Sequence, residues 1–155
     1  MKFLSSSVTV LVLAAFSSAS IIPKSVDATS TYTLCGDPST HLLAVTSADY
    51  NPKPPVAGKP LTVAVAGDLK ANIDQGASIK VTVSAGGLTV WQDTYDVCQE
   101  AEKIGKSCPL APGPYEFSKS VTVPSIIPPG TYTLKAAATT VDGKAITCIE
   151  DKFTI

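Results

Sequence analysis

The chain has 155 residues, twelve basic and thirteen acidic, one histidine and a formal charge of −1. That length accommodates one domain around a single core. Every basic residue is a lysine; without arginine for bidentate phosphate or base contacts, and without a basic run, nucleic acid is excluded as a partner.

Residues 1–19 read as a secretory signal peptide. Met1-Lys2 is a charged start, residues 8–16 form an apolar run containing Val10, Leu11, Val12 and Leu13, and Ser17-Ser18-Ala19-Ser20 supplies small residues for cleavage. The run is too short to span a bilayer. Cleavage is expected after Ala19; Val26-Asp27-Ala28 offers a second site, ending a flexible segment or propeptide over 20–30. The remaining 31–155 form the expected domain, delivered by the secretory pathway to the exterior or to a vacuole- or lysosome-like lumen.

From Tyr32 onward the pattern is β, punctuated by turn residues. A short strand over 31–34 ends at Cys35, and Gly36-Asp37-Pro38-Ser39 turns the chain. Leu42, Leu43, Val45 and Tyr50 mark a second strand, stopped by Asn51-Pro52. Prolines 52, 54 and 55 with Gly58 make a stiff connector. Residues 61–66 alternate with period two, and Gly67-Asp68 closes that strand or marks a bulge. Residues 79–84 alternate more cleanly, with Ile79, Val81 and Val83 inward and Lys80, Thr82 and Ser84 outward. Ala85-Gly86-Gly87 is a hairpin turn into a strand over 88–97 that carries Trp91 and Tyr95. A polar loop spans Gln99 to Ser107. A sixth strand is expected over 115–123, a seventh after Pro128-Pro129-Gly130, and a last one over 145–155 beyond the Asp142-Gly143 turn. Seven or eight strands and no amphipathic helix predict an all-β, immunoglobulin-like two-sheet sandwich.

Four cysteines in an oxidising compartment predict two disulfides and allow three pairings. The nested pairing is favoured: Cys98 with Cys108 staples the polar loop, and Cys35 with Cys148 ties the first strand to the last. In the chain-entropy model the short loop contributes roughly 2–3 kcal/mol and the long one nearly 5. Metal is not expected, because paired short cysteine spacings are missing and there is one histidine.

The inner faces are expected to be underfilled. Ala136, Ala137 and Ala138 are consecutive, and Ala64 and Ala66 recur in the third strand. Small inward residues either bring the sheets together or leave room for a ligand. The lining of such a cavity would be Val63, Val65, Ile79, Val81, Val83, Phe117, Val121, Val123, Leu134 and Ala136, with Tyr95, Tyr115 and Tyr132 nearer the rim. No acid, base or metal set is expected to face that space. It suits an acyl chain or a sterol body, each buried methylene contributing about 0.8 kcal/mol. A tyrosine hydroxyl or a lysine at the mouth would meet the head group. Ile126 and Ile127, in a proline-rich turn, would touch a membrane, gate the mouth or fold back on the core.

An ordered set of motifs carries a family resemblance. Cys35-Gly36-Asp37-Pro38 is followed by a Tyr50-Asn-Pro-x-Pro-Pro-x-x-Gly58-x-x-Leu61 connector. Then come Cys98, Cys108-Pro109, Pro114-Tyr115-x-Phe117, a Pro-Pro-Gly-x-Tyr132 turn and the Cys148 strand. The set resembles the MD-2-related lipid-recognition (ML) family, most closely its fungal secreted phosphatidylglycerol/phosphatidylinositol transfer proteins. It is similar, more distantly, to the Niemann-Pick type C2 sterol carrier and the group 2 mite allergens. The resemblance implies a lipid held between two sheets, carriage without bond chemistry, and the nested disulfides. It implies a phospholipid or sterol ligand, transient membrane contact, a monomer, and no cofactor. The sterol branch has a further disulfide in the connector and a pocket tryptophan on the seventh strand. Here the connector has no cysteine and alanines occupy the seventh strand, so the resemblance leans towards phospholipid. The alternatives are a sterol carrier of the same fold and a ligand-free adhesion sandwich.

Catalysis is not expected. His41 would need a nucleophile and an orienting acid, and neighbouring Asp37 and Ser39 match no triad spacing. A solvated surface histidine is expected instead. Asp49, Asp68, Asp93 and Asp96 lie scattered at turns and strand ends, and form no paired-carboxylate site.

Overall fold

The computed structural model describes residues 32–155; the expected signal peptide over 1–19, the expected flexible segment over 20–30 and Thr31 of the first predicted strand lie outside the described residues. Eight strands run in the order β1 (Thr33–Leu34), β2 (Leu43–Asn51), β3 (Pro60–Leu69), β4 (Ser78–Ala85), β5 (Leu88–Asp96), β6 (Gly113–Thr122), β7 (Thr131–Thr139) and β8 (Ala145–Thr154). All neighbours are antiparallel. The larger sheet has the order β1-β8-β7-β4-β5 and the smaller β2-β3-β6. The predicted two-sheet sandwich is therefore the architecture observed.

The turns follow their residues. Gly86 and Gly87 both adopt positive φ, 57° and 84°, as a two-residue hairpin requires. Gly67 lies within β3 and not at its end. It faces β2 where the register shifts between Val45 and Ser47, and an added Cβ would stand 2.6 Å from the Ala44 carbonyl oxygen. Backbone proximity at that bulge demands glycine.

One element departs from the all-β expectation. The first turn of the predicted polar loop is a helix, α1 (Val97–Glu102). Asp96 caps it, its carboxylate accepting a 2.9 Å bond from the Gln99 amide. The Asp-x-x-Gln spacing is a capping-box pattern. Val97 and Ala101, four apart, turn inward and are buried. Both nested disulfides form, Cys35 with Cys148 and Cys98 with Cys108.

The packed core sits at one end. Leu43, Leu69, Ile73, Ala77, Val97, Ala101, Leu110, Ala138 and Ile146 form one buried cluster. They come from the start of β2, the end of β3, α1, the end of β7 and the start of β8, with the segments that flank β4 and β6. Ile73 and Leu110 fasten those flanking segments by a pair of backbone bonds, 3.0 and 2.9 Å. The opposite end carries the β4–β5 turn, the 123–130 segment and the 52–59 connector. These are held by bonds between Gly58 and Val123 and between Gly130 and Ile155. There Leu88 is 75% exposed and Ile126 91% exposed, with Val56, Val90 and Trp91 also open to solvent.

Candidate functional site

The register decides which side chains meet between the sheets. On β3, Leu61, Val63, Val65, Gly67 and Leu69 share one face. Their partners on β6 are Val121, Lys119, Phe117, Tyr115 and Gly113. On the larger sheet Ile79, Val81 and Val83 stand beside Ala138, Ala136 and Leu134 of β7, which in turn stand beside Thr147, Ile149 and Asp151 of β8. Tyr95 pairs with Ile79, and Trp91 with Val83, at the free edge.

Beyond the packed end these faces do not close on each other. Val63, Val65, Val81, Val83, Phe117, Val121, Leu134, Ala136 and Ile149 are all only partly buried. A pocket lies between the sheets, lined by Val63, Val65, Ala48 and Tyr50 on one side and Leu134, Ala136, Ile149 and Asp151 on the other, with Tyr32, Asp49 and Lys53 beside them. It holds about 50 Å³ of free space and opens to solvent. That is room for a water or two, and far below the few hundred Å³ of a small-molecule site. The sandwich is thus an apolar wedge, wet and partly open.

Besides Asp49 and Lys53 at the pocket and Asp93 opposite Val81, two charged residues sit on the inner faces, contrary to the expectation that none faces the wedge. Asp151 is buried on the inner face of β8 and accepts a hydrogen bond from the Tyr50 hydroxyl. Burial first, and the Asp151 charge next, push the Tyr50 phenol above its usual value. Tyr50 also lies 6.3 Å from the Phe153 ring. The second is Lys119, whose ammonium reaches the free edge, 3.6 Å from the Tyr95 ring centre. Glu100 of α1 takes it at 2.6 Å and Lys103 at 2.7 Å. Burial raises Glu100, but hydrogen bonds from the two lysines outweigh it and hold the carboxyl below its ordinary value.

A family model described as the ML domain matches residues 29–155. The chain belongs to the ML domain family. Among curated proteins, this ML domain is 38% identical over 116 residues to a phosphatidylglycerol/phosphatidylinositol transfer protein of Aspergillus fumigatus, covering 75% of this chain and 66% of that one. It is 40% identical over 118 residues to the protein of the same name from Emericella nidulans, covering 76% and 70%. The chain thus spans about two thirds of such relatives. The fold is shared with a Niemann-Pick type C2 protein from the Japanese carpenter ant, at TM-score 0.64 and 12% identity over 80% of this chain and 98% of that one. Chicken MD-1, solved with lipid IVa, matches at TM-score 0.53 and 20% identity, covering 79% and 87%.

Within the ML domain the thirteen residues singled out from sequence divide into three groups. Val63, Val65, Leu134 and Ala136 line the pocket itself. Val81, Val83 and Val121 share its faces, while Ile79, Tyr115 and Phe117 pack against the core end. The rest sit elsewhere. Val123 lies beyond the end of β6, buried, its amide bonded to Lys59 of the connector. Tyr132 is buried and not at a rim, stacked 5.8 Å from Phe153, its hydroxyl donating to the Pro128 carbonyl at 2.6 Å. The Tyr115 hydroxyl is likewise occupied, by the Ala111 carbonyl at 2.8 Å. Tyr95 is at the edge, under Lys119.

Two further expectations are corrected. Ala64 and Ala66 alternate with Val63 and Val65, so they face outward; Ala48, Gly67, Ala136 and Ala138 are the small inner residues. His41 is buried, not solvated, and its Nδ1 has no hydrogen-bond partner. Asp37 is engaged locally. Its carboxylate caps the Pro38–Thr40 turn through the Ser39 hydroxyl and amide, and these bonds hold it below its usual value. Tyr50, Ile149, Asp151 and Lys119 were missed as inner-face residues, although period-two alternation through 115, 117, 119 and 121 marks Lys119 directly.

Proposed function

We propose that this ML domain is a lipid carrier, taking the acyl chains of a phospholipid between its two sheets and passing the molecule between membranes without bond chemistry. One observation carries this: beyond the plugged end, two apolar faces stand opposite each other and stay half-wet. A sandwich without a ligand would fill that space with interdigitating side chains. The acyl chains would complete the missing core, each methylene adding about 0.8 kcal/mol. The free space is too small for a chain as it stands, so loading parts the sheets at their open end. The names of the curated relatives support phosphatidylglycerol or phosphatidylinositol as the cargo.

Membrane contact is assigned to that same end, where Leu88, Trp91 and Ile126 project. An apolar cluster at the mouth would lower the barrier to a lipid leaving the bilayer. Two disulfides suit an oxidising secretory lumen or the exterior. The test is solvent extraction of the purified protein followed by mass spectrometry, with transfer of a fluorescent phosphatidylglycerol between vesicles. Copurified phospholipid and transfer are expected. A sterol in its place would shift the cargo, and an empty protein that takes up no lipid would overturn the proposal.

A further inference from the structure

Lys119 is the one inner-face residue of β6 that carries a charge. The strand presents Tyr115, Phe117, Lys119 and Val121 to the wedge by strict alternation. β5 and β6 are edge strands of different sheets, so no backbone ladder joins them. The Lys119 side chain leaves the smaller sheet beside Val63, crosses that edge, and sets its ammonium against Tyr95 of β5 and Glu100 of α1. One side chain therefore fastens the two sheets along the β5–β6 edge, on the flank away from the pocket lined by β2 and β8. Its exposure is 35%, and that of Glu100 is 16%.

A fastening role alone does not call for a lysine. A half-buried ion pair contributes little net stability over apolar packing, because both charges lose water. An apolar side chain on this face would hold the sheets at least as well. What a lysine adds is a mobile point charge with three donors on a long stem. The arrangement around it also allows the charge to leave. Glu100 Oε1 already has a second partner in Lys103 at 2.7 Å, so departure of Lys119 does not strand a buried carboxylate. The stem can stay on the apolar face while the head moves.

We propose that Lys119 is the phosphate-receiving group of the inter-sheet site, exchanging Glu100 and Tyr95 for the anionic phosphate of an entering lipid and, in the same movement, unfastening the β5–β6 edge. The inference rests on the carrier reading and adds to it the residue that selects anionic cargo. Glu100 becomes the competitor that keeps the empty protein closed. The chains would then lie along Val63, Val65 and Phe117, with the head group at the edge beside α1.

The test compares uptake of phosphatidylglycerol and of diacylglycerol with the same chains, from neutral vesicles, by wild type, Lys119→Met, Lys119→Arg and Glu100→Gln. Methionine keeps an apolar stem and removes the charge. Lys119→Met should weaken phosphatidylglycerol uptake about tenfold or more, as loss of a charge-assisted bond implies, and leave diacylglycerol unchanged. Glu100→Gln should strengthen phosphatidylglycerol uptake several-fold, the opposite sign, and Lys119→Arg should keep most of it. Equal losses for both lipids, or none for either, in Lys119→Met would overturn the assignment while leaving the carrier reading intact. Uptake of neither lipid by wild type would sink the carrier reading itself. Inorganic phosphate should not compete; competition would reassign the subsite to free anions and overturn the lipid exchange.

Discussion

Filling the wedge from the larger sheet separates a lipid site from a loosely packed core. Ala136 lies mid-strand on β7, between Val81 and Ile149, and looks across at Val63 and Val65. Ala136→Trp places an indole where about 50 Å³ is free, so the ring must lie out along the wedge. A tryptophan buries roughly 150–250 Å², a gross gain of about 4–6 kcal/mol at 25 cal/mol/Å². Part of that surface stays wet here, and overpacking returns about 1–3 kcal/mol. The net change in stability should fall within about 2 kcal/mol, and the protein should remain folded. A ring displacing about four methylenes of ligand costs roughly 3 kcal/mol, about two orders of magnitude in affinity. Urea unfolding followed by vesicle-to-vesicle transfer of fluorescent phosphatidylglycerol measures both. Lys135→Trp, one residue away on the exposed outer face, is the control and should transfer normally. A folded Ala136→Trp that transfers at the wild-type rate would refute the inter-sheet site. So would an equal loss in Lys135→Trp.

The remaining predictions concern the frame. Replacing Cys35 and Cys148 by alanine opens a loop of 113 residues and should cost roughly 5 kcal/mol, against roughly 2.5–3 for Cys98 and Cys108 with their separation of 10; urea midpoints of the two double variants give the order. Gly67→Ala drives a methyl to 2.6 Å from the Ala44 carbonyl oxygen and should cost at least about 2 kcal/mol in the same assay. Glu100 has a lowered folded-state value, so its contribution is present at neutral pH and is lost as pH falls through that value. The stability gap between wild type and Glu100→Gln should therefore shrink as pH is lowered from about 6 to about 3.

The sheets were legible because period-two alternation and turn chemistry are local. Ile79 to Val83 with Gly86-Gly87 specify strand, face and hairpin at once. What alternation does not supply is the identity of the facing surface. Ala64 and Ala66 looked like missing core, yet Val63 and Val65 take the inner face, and the alanines point away. Val123 continues the alternation of Phe117 and Val121, but its strand has ended and its backbone serves the connector. The expectation that no acid or base faces the wedge passed over Lys119 and Asp151. A lysine can start on an inner face because its stem is apolar and its head reaches an edge. Asp151 is tolerated inside because Tyr50, from the other sheet, donates to it. The α1 helix was missed because six residues are too few for a periodic signal. Its Asp96-x-x-Gln99 cap was the only local evidence. The buried state of His41 left no sequence signal at all.

The uneven core explains how one small sandwich can be both stable and hollow. Nine of its buried apolar residues gather where α1, the Cys98–Cys108 bond and the Ile73–Leu110 bridge hold the sheets together. Cys35–Cys148 secures the first strand to the larger sheet. Stability drawn from that end does not depend on contacts across the wedge, so the other end can open without unfolding the domain. A ligand that fills the wedge adds the apolar burial the empty chain lacks, and stabilises the closed sandwich in proportion to its affinity. Lys119 joins the two halves: its stem starts beside Val63 on the open half, and its head reaches back to Glu100 of the plug. At the mouth, among Leu88, Trp91 and Ile126, its charge would face the apolar surface assigned to the membrane.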